Sequence, residues 1–244
     1  MLKLICGDCL DVLKRETPNS VNLILCDLPY GTTQNKWDII IPLDSLWEAY
    51  KRILVPKGCV ILTATQPFSS MLVMSNPTWF KYEWVWVKTK ITGVLNAKKM
   101  PVRKHEQILV FAPGTTIYNP QGLIPKGKVI QQGKTSSKNY GNRNSEPYLQ
   151  EFENYPRDVL EIASEGMKKH PTQKPLALFN YLVLTYSNIG DTVLDNCMGS
   201  GTTGIACLQT GRNFIGIEKD PTYFELAKQR IREFSCIQDQ LMVT

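Results

Sequence analysis

Residues 192–204 read TVLDNCMGSGTTG, a short apolar run followed by an aspartate and a glycine-rich turn. Gly199, Gly201 and Gly204 satisfy the pattern G-x-G-x-x-G, with a predicted strand before it and a predicted helix after it. Glycines in this context let the backbone approach a bound ligand closely, and an acid after the next strand can bind ribose hydroxyls. Glu218 ends that next predicted strand. The segment therefore predicts a nucleoside-type cofactor site.

Two classes of cofactor fit such a turn. A dehydrogenase would bind the pyrophosphate of a nicotinamide dinucleotide, whereas a methyltransferase would bind the methionine and ribose of S-adenosylmethionine. Asp195 discriminates between them, because a carboxylate directly before the turn would repel a pyrophosphate but could bind an ammonium group. The turn therefore favours S-adenosylmethionine.

A second motif, DLPY at residues 27–30, directly follows the apolar run Val21–Cys26. An exocyclic amine of a base is a poor nucleophile, so its hydrogens must be held by acceptors that direct its lone pair at the methyl group. Asp27 and the carbonyl of Leu28 or Pro29 can be those acceptors, and Tyr30 can stack on a base taken out of the duplex. The same pattern also describes a common turn after a strand. The functional interpretation depends on its combination with the glycine turn on one sheet.

The alternation of predicted strands and helices along the chain predicts an α/β fold with a doubly wound, mostly parallel, Rossmann-like sheet and a hairpin at one edge. We expect strands at 3–6, 21–26, 59–64, 191–195 and 213–217, paired strands at 81–87 and 107–111, and helices at 9–15, 43–54, 68–74, 175–186, 201–210 and 221–234. Periodicity is lost between residues 113 and 156, where glycine, asparagine, serine, lysine and glutamine dominate. A connection of that length is either disordered or a functional insertion.

Composition sets broad limits. A net charge of +6 over 244 residues permits a polyanionic partner without requiring one. The seven cysteines include Cys26, Cys59 and Cys207 inside apolar runs, which predicts small buried thiols in a reducing compartment and no metal site. Residues 1–5 lead straight into a strand and no run is long and apolar enough for a membrane span, so we expect a cytoplasmic protein that does not bind a membrane.

Together the two motifs resemble those of the β-class DNA amino-methyltransferases, which modify adenine N6 or cytosine N4, in the small form found in phages and restriction-modification systems. The resemblance implies a circular permutation, in which the chain starts with the third strand of the common methyltransferase sheet and ends with its first two. It also implies a catalytic half at 1–112, a target-recognition insertion at 113–157 and a cofactor-binding half at 158–244.

The resemblance carries roles to individual residues. Asp27, Pro29 and Tyr30 match the catalytic tetrad, in which Leu28 replaces the usual first proline. Asp8 matches the acid that reaches the cofactor adenine, and Cys197 replaces a usual phenylalanine. The other residues implied to bind S-adenosylmethionine are Pro171, Thr172, Gln173 and Lys174 around its methionine end, Asp195, Gly199, Ser200, Gly201, Thr202 and Thr203 in the glycine loop, and Glu218.

Two basic stretches suit phosphate contacts. Residues 86–105 contain no acid, and we predict that they contact the DNA backbone near the flipped base. The predicted contacts in this stretch are Lys88, Lys90, Asn96, Lys98, Lys99, Arg103 and Lys104. The second stretch lies in the insertion, where the predicted contacts are Lys126, Lys128, Lys134, Lys138 and Arg143. A solvated loop is the alternative for the insertion. Trp84 and Trp86 share one face of a strand and are expected in the core.

The expected activity is site-specific transfer of a methyl group from S-adenosylmethionine to adenine N6 in double-stranded DNA. The alternatives are a cytosine-N4 or RNA methyltransferase, an inactive nucleic-acid-binding protein and an NAD-dependent oxidoreductase. A homodimer and a cognate restriction endonuclease are left open as partners. The expected location is the cytoplasm of a prokaryotic or phage-infected cell.

Overall fold

The computed structural model describes residues 1–32, 35, 38–130, 136–137, 141–142, 147–165 and 173–242, with the backbone alone at 136–137, 141–142 and 237–242. The strands are β1 (Leu2–Cys6), β2 (Val21–Cys26), β3 (Leu54–Ala64), β4 (Phe80–Thr92), β5 (Arg103–Phe111), β6 (Ile124–Ile130), β7 (Ser136–Ser137), β8 (Gly141–Asn142), β9 (Tyr148–Glu153), β10 (Val159–Glu161), β11 (Thr192–Asp195) and β12 (Asn213–Glu218). The helices are α1 (Cys9–Leu13), α2 (Leu43–Ile53), α3 (Phe68–Ser75), α4 (Leu176–Tyr186), α5 (Thr202–Thr210) and α6 (Pro221–Met242).

Eight strands form the main sheet in the order β1-β12-β11-β2-β3-β5-β4-β10. Strand β5 is antiparallel to β3 and β4, while every other pairing between neighbouring strands of this sheet is parallel. The first strand of the chain pairs with the last, and β11 pairs with β2, so the predicted permuted, doubly wound sheet is confirmed.

Two hydrophobic cores enclose this sheet because alternate side chains of each strand point to opposite faces. Leu23 and Leu25 pack on one face with residues of α4, α5 and α6. Ile24 and Cys26 pack on the other face with residues of α1, α2 and α3. The molecule's main unit is therefore a sheet between two helical layers.

The β4–β5 hairpin was predicted to form one edge of the sheet. The edge strand is instead β10, which pairs in parallel with β4 and buries Leu160. The two predicted core tryptophans are confirmed: Trp84 and Trp86 are each 3% exposed, and their indole nitrogens donate to Tyr186 Oη and to the Ile162 carbonyl.

The chain divides into two compact units, residues 1–119 with 158–244, and Pro120–Arg157. The smaller unit contains the antiparallel pair β6–β9, which its composition did not predict, and the short pair β7–β8. No helix of the described part of the chain is both long and apolar enough to cross a membrane.

Candidate active site

A cavity of about 720 Å³ opens at the carboxyl ends of β1, β12, β11 and β2. These four strands are parallel neighbours, so the loops that follow them meet at one edge of the sheet. Open α/β sheets bind ligands at this edge. The cavity is large enough for a ligand of nucleoside size together with part of a second one.

The glycine loop lines the cavity between β11 and α5. Gly199 and Gly201 have φ angles of 50° and 77°, which side chains rarely allow. Gly201 differs from its predicted role, because it does not line the cavity and instead packs behind the loop. A Cβ there would lie 3.1 Å from Ala227 Cβ and 3.1 Å from Ile231 Cδ1 of α6. Gly201 therefore sets the close approach of two helices.

Asp195 stabilises the loop from inside. It is 3% exposed, one carboxylate oxygen accepts from the Cys197 amide at 3.1 Å, and the other accepts from the Thr203 hydroxyl. Burial raises the pKa of Asp195 to about 7, although both hydrogen bonds oppose the shift. Its bonds within the loop show how the turn is held, and the carboxylate still lines the cavity.

Two further acids stand at the ends of β12 and β1. Glu218 accepts backbone hydrogen bonds from Gly199 and Asp220, each at 2.9 Å, and burial raises its pKa. A carboxylate has about four acceptor positions, so these backbone bonds leave room for a ribose hydroxyl to donate to Glu218. Asp8 caps α1 and pairs with Lys219 at 3.0 Å, and this hydrogen bond lowers the pKa of Asp8.

The loop also offers a hydrogen-bonding group that the described residues leave without a partner. Thr202 is 5% exposed, it lines the cavity, and its hydroxyl forms no hydrogen bond with the residues described. Buried hydroxyls are normally hydrogen-bonded, so this group suits a polar ligand at the start of α5. Ser200 and Gln173, 3.5 Å apart between Oγ and Oε1, line the same wall. The loop therefore fits the polar methionine end of S-adenosylmethionine.

The DLPY segment lines the cavity beside this loop. Tyr30 Oη donates to Asp27 Oδ1 at 2.7 Å, and the Thr63 hydroxyl donates to the same oxygen. The ring of Tyr30 stacks on Phe68 with centroids 5.3 Å apart and an interplanar angle of 27°. Burial, with the nearby Asp27 charge, raises the pKa of Tyr30, so the phenol stays protonated and can donate.

The loop after Tyr30 is fixed by an acid further along the chain. The carboxylate of Asp38 accepts from the backbone amides of Gly31 and Thr32 at 2.8 and 2.9 Å. Gly31 has a φ of 66°, and a Cβ there would come within 2.9 Å of Ile40. These contacts hold the backbone of the segment in a defined conformation next to Asp27.

Lys174 joins the two halves of the site. Its ammonium lies 2.6 Å from Asp27 Oδ2 and 3.4 Å from Glu106 Oε2. Lys88 pairs with Glu106 Oε1 at 3.0 Å. Burial opposes the charge on Lys174, but the Asp27 and Glu106 carboxylates outweigh it and raise its pKa. Burial likewise opposes the charge on Glu106, but Lys174 and Lys88 lower its pKa.

Lys88 was predicted to contact the DNA backbone, and the structure gives it a different environment. It is 7% exposed and its ammonium is paired with Glu106 in the cavity wall. The β4–β5 register brings Glu106 opposite Trp86, which places the acid near Lys88. A lysine in this position faces the cavity rather than a phosphate outside it.

The other described members of the basic stretch are exposed. They surround the turn between β4 and β5 and comprise Lys90, Asn96, Lys98, Lys99, Arg103 and Lys104. In the smaller unit Lys126 and Lys128 are exposed, and Lys126 pairs with Glu153. Pro171, Thr172, Lys134, Lys138 and Arg143 lie outside the described residues.

The cysteines of the site are protonated thiols. Burial raises the pKa of Cys26 to about 12, and the hydrogen bond with Cys197, together with burial, raises the pKa of Cys9. A thiol without appreciable thiolate is not an effective nucleophile at neutral pH. Cys26, Cys59 and Cys207 are buried, as the sequence predicts.

Sequence reasoning missed Thr63, Asp38 and Glu106. Thr63 could have been found, because it lies next to the last residue of β3, and the register Cys26↔Leu62 brings it beside Asp27. Glu106 directly follows the acid-free basic stretch, which is a weak signal for a paired charge. Asp38 gives no pattern that points to its role.

Comparisons with known proteins agree with this geometry. A family model described as DNA methylase matches residues 21–229. Type II methyltransferase M.HpaI of Haemophilus parainfluenzae is 29% identical over 94% of this chain and 74% of its own length. DNA adenine methyltransferase YhdJ of Escherichia coli K12 is 30% identical over 93% of this chain and 82% of its own length.

Solved structures show the same architecture. The crystal structure of the M1.HpyAVI–SAM complex is 27% identical, has a TM-score of 0.66, and is matched over 94% of this chain and 100% of that one. The cytosine-N4-specific PvuII DNA methyltransferase is only 14% identical, with a TM-score of 0.69 over 96% of this chain and 90% of its own, and shares the fold.

Proposed function

Because the chain belongs to the N6/N4 DNA methylase family, we propose that it transfers the methyl group of S-adenosylmethionine to the exocyclic N6 of adenine in double-stranded DNA. The observation that carries this proposal is one cavity lined by both motifs: the acceptor Asp27 with Tyr30, and the glycine loop with Glu218. Direct transfer of a methyl group requires a side chain that accepts the hydrogens of the target amine and a cofactor-binding loop close to it. Both lie at one edge of the sheet. The family match leaves no role for the nicotinamide interpretation.

The choice of adenine rests on two observations. YhdJ, which is named a DNA adenine methyltransferase, is 30% identical over most of both chains. The first position of the DLPY tetrad is an aspartate, as is commoner among the adenine enzymes that the chain resembles. The PvuII enzyme shares only the fold at 14% identity, so it gives no support to cytosine.

The cofactor supplies an electrophilic methyl group on a sulfonium centre. We assign the glycine loop with Thr202, Ser200 and Gln173 to its methionine end. Glu218 is assigned to its ribose hydroxyls and Asp8 to its adenine amine. The described residues Lys174, Asp195, Cys197, Gly199 and Thr203 line the same cavity and complete this wall.

In the proposed reaction Asp27 and the carbonyl of Leu28 or Pro29 accept the hydrogens of the target amine, so the lone pair points at the methyl group. Tyr30, whose ring stacks on Phe68 and has the Lys174 ammonium 5.7 Å from its centroid, is assigned to stack on the flipped base. Asp27 need not be a strong base, because the amine proton becomes acidic once nitrogen is methylated. Positioning and electrostatics provide most of the rate enhancement.

Double-stranded DNA is the proposed partner, and the exposed cations around the β4–β5 turn are its proposed backbone contacts. The insertion 113–157 is proposed to read the target sequence, between the catalytic half at 1–112 and the cofactor half at 158–244. A homodimer and a cognate endonuclease stay open as further partners, and the cytoplasmic location stays an expectation from the sequence.

The test is transfer of labelled methyl from S-adenosylmethionine to unmethylated duplex DNA, followed by nucleoside analysis of the digest. We expect N6-methyladenine from the natural chain. Asp27→Asn removes the charged acceptor at nearly constant size, and we expect transfer to fall about 100-fold or more while cofactor binding persists. Asp11→Asn, at an exposed position of α1, is the matched control.

N4-methylcytosine in the digest would support the mechanism and contradict adenine as the target base. Transfer to RNA but to no duplex would overturn the DNA substrate. An absence of transfer to either polymer would favour an inactive binder, and full activity of Asp27→Asn would remove this carboxylate from the mechanism.

A further inference from the structure

Four alternating charges form a chain along the cavity wall: Asp27, Lys174, Glu106 and Lys88. Successive ammonium–carboxylate distances are 2.6, 3.4 and 3.0 Å. Both lysines are 8% exposed at their side chains and Glu106 is 15% exposed, so solvent screens these contacts weakly. Such a chain can exist in two pairings, because Lys174 has a carboxylate on either side.

The pairing in the structure weakens Asp27 as the acceptor in the proposed reaction. Asp27 Oδ1 already accepts from Tyr30 and Thr63, and Oδ2 accepts from Lys174. The target amine has to use the second lone pair of Oδ2, whose strength as an acceptor is reduced by the charged Lys174 donor. An ammonium at this oxygen also places positive charge close to where a cationic methyl donor has to react.

Glu106 offers Lys174 a second position. Its Oε2 atom is buried, accepts no hydrogen bond from any residue that the structure describes, and lies 3.4 Å from Lys174 Nζ. A strong ammonium–carboxylate hydrogen bond is about 2.8 Å long, so a movement of under about 1 Å would complete it. A buried charged acceptor without a hydrogen bond is costly, and this movement would satisfy it.

We propose that Glu106 is a positioning residue, which receives the ammonium of Lys174 when the target amine binds to Asp27. The inference rests on the proposed function. Lys88 holds Oε1 of Glu106 and keeps Oε2 directed at Lys174. No proton is transferred in this exchange, and Lys174 remains an ammonium throughout. The amine takes the place on Oδ2 that Lys174 leaves.

The test compares two variants that separate charge from size. Glu106→Gln keeps the size and the acceptor for Lys88 but removes the charge, so Lys174 stays on Asp27. We expect kcat to fall about 10- to 100-fold, the range of a charge-assisted hydrogen bond, with the KM for DNA and the affinity for S-adenosylmethionine unchanged. Glu106→Asp keeps the charge and should lower kcat less than Glu106→Gln does.

Rates are expressed per cofactor-binding molecule, so partial unfolding of a variant does not count as reduced activity. A packing role for Glu106 predicts the opposite order, with the shortened Glu106→Asp more damaged than the isosteric Glu106→Gln. That order, or equal losses, would overturn the proposal. If the natural chain transfers no methyl group, the proposed function is wrong, and the proposal for Glu106 fails with it.

A double-mutant cycle adds an independent readout. The Lys174→Met variant has no ammonium for Glu106 to receive. In that background Glu106→Gln should therefore lower kcat much less than it does in the natural chain. Equal costs in both backgrounds would show that Glu106 acts independently of Lys174 and would also overturn the proposal.

Discussion

Asp195 is a single side chain whose protonation should be visible in the stability of the protein. Burial raises its pKa to about 7 from an ordinary 3.8, so the folded chain keeps a proton that the unfolded chain releases. The stability contribution is therefore fully present below about pH 3.8 and is lost as the pH rises to about 7. At about 1.4 kcal/mol per pKa unit, the loss is on the order of a few kcal/mol.

Asp195→Asn tests this linkage. The asparagine carries no titrating group, so the fall in unfolding free energy between about pH 4 and 7 should flatten relative to the natural chain. Urea unfolding at a series of pH values measures it, with the exposed Asp158→Asn as a matched control. An unchanged slope in Asp195→Asn would mean that another group titrates.

Single residues were predictable when their role is local and not when it depends on a distant partner. Gly199 and Glu218 could be placed from their positions after two strands, and they do meet, at 2.9 Å. The Lys88–Glu106 and Lys174–Asp27 pairs could not be predicted. They depend on the register of β4 with β5 and on where the segment before α4 returns to the sheet.

The β4–β5 hairpin is the element that should govern DNA affinity. Lys98 and Lys99 are exposed in its turn, and the described residues of that turn include no acid. Lys98→Ala with Lys99→Ala should weaken DNA binding. The plot of log affinity against log salt should become less steep by about 0.9 for each phosphate that the variant no longer neutralises.

The matched control is Lys57→Ala with Lys81→Ala, two exposed lysines near the opposite, amino ends of β3 and β4. Fluorescence anisotropy with one duplex at several salt concentrations gives both slopes. Equal affinity and an equal slope for the hairpin variant and the natural chain would exclude the hairpin as a backbone contact.

Elements with their own periodicity were predicted in type and position, although β3 begins five residues before its predicted start and α6 ends eight residues after its predicted end. Strands that depend on a distant partner were not predicted. Strand β2 was predicted with its observed bounds, and α2 was predicted one residue too long. Strand β10 has only three residues and exists because β4 offers it a partner far away in sequence. Strands β6 and β9 are likewise formed by pairing with each other, within a segment whose composition resembles a loop.

At the scale of the whole chain, the division into two units predicts that cofactor binding and target choice can be separated. Every described residue that lines the cavity belongs to the unit formed by 1–119 and 158–244. Replacing Pro120–Arg157 by a flexible glycine–serine linker should therefore preserve affinity for S-adenosylmethionine, because no lining residue is removed.

The same replacement should abolish preference for a particular DNA sequence. Calorimetry measures the first property, and sequencing of methylated sites in genomic DNA measures the second. Loss of cofactor binding would show that the smaller unit supports the fold of the larger one. An unchanged set of methylated sites would exclude the insertion as the reader of sequence.

Strands from the two sides of the insertion alternate across the main sheet. The part before it provides β1 and the block β2-β3-β5-β4, and the part after it provides β12, β11 and β10, which fill the gap and one edge. If the chain were divided within the insertion, each fragment would lack strands that only the other can provide. The protein is thus a natural template for a split enzyme. Each fragment would be fused to one of two interacting proteins, and association of those proteins in a cell would be recorded as methylation of its DNA.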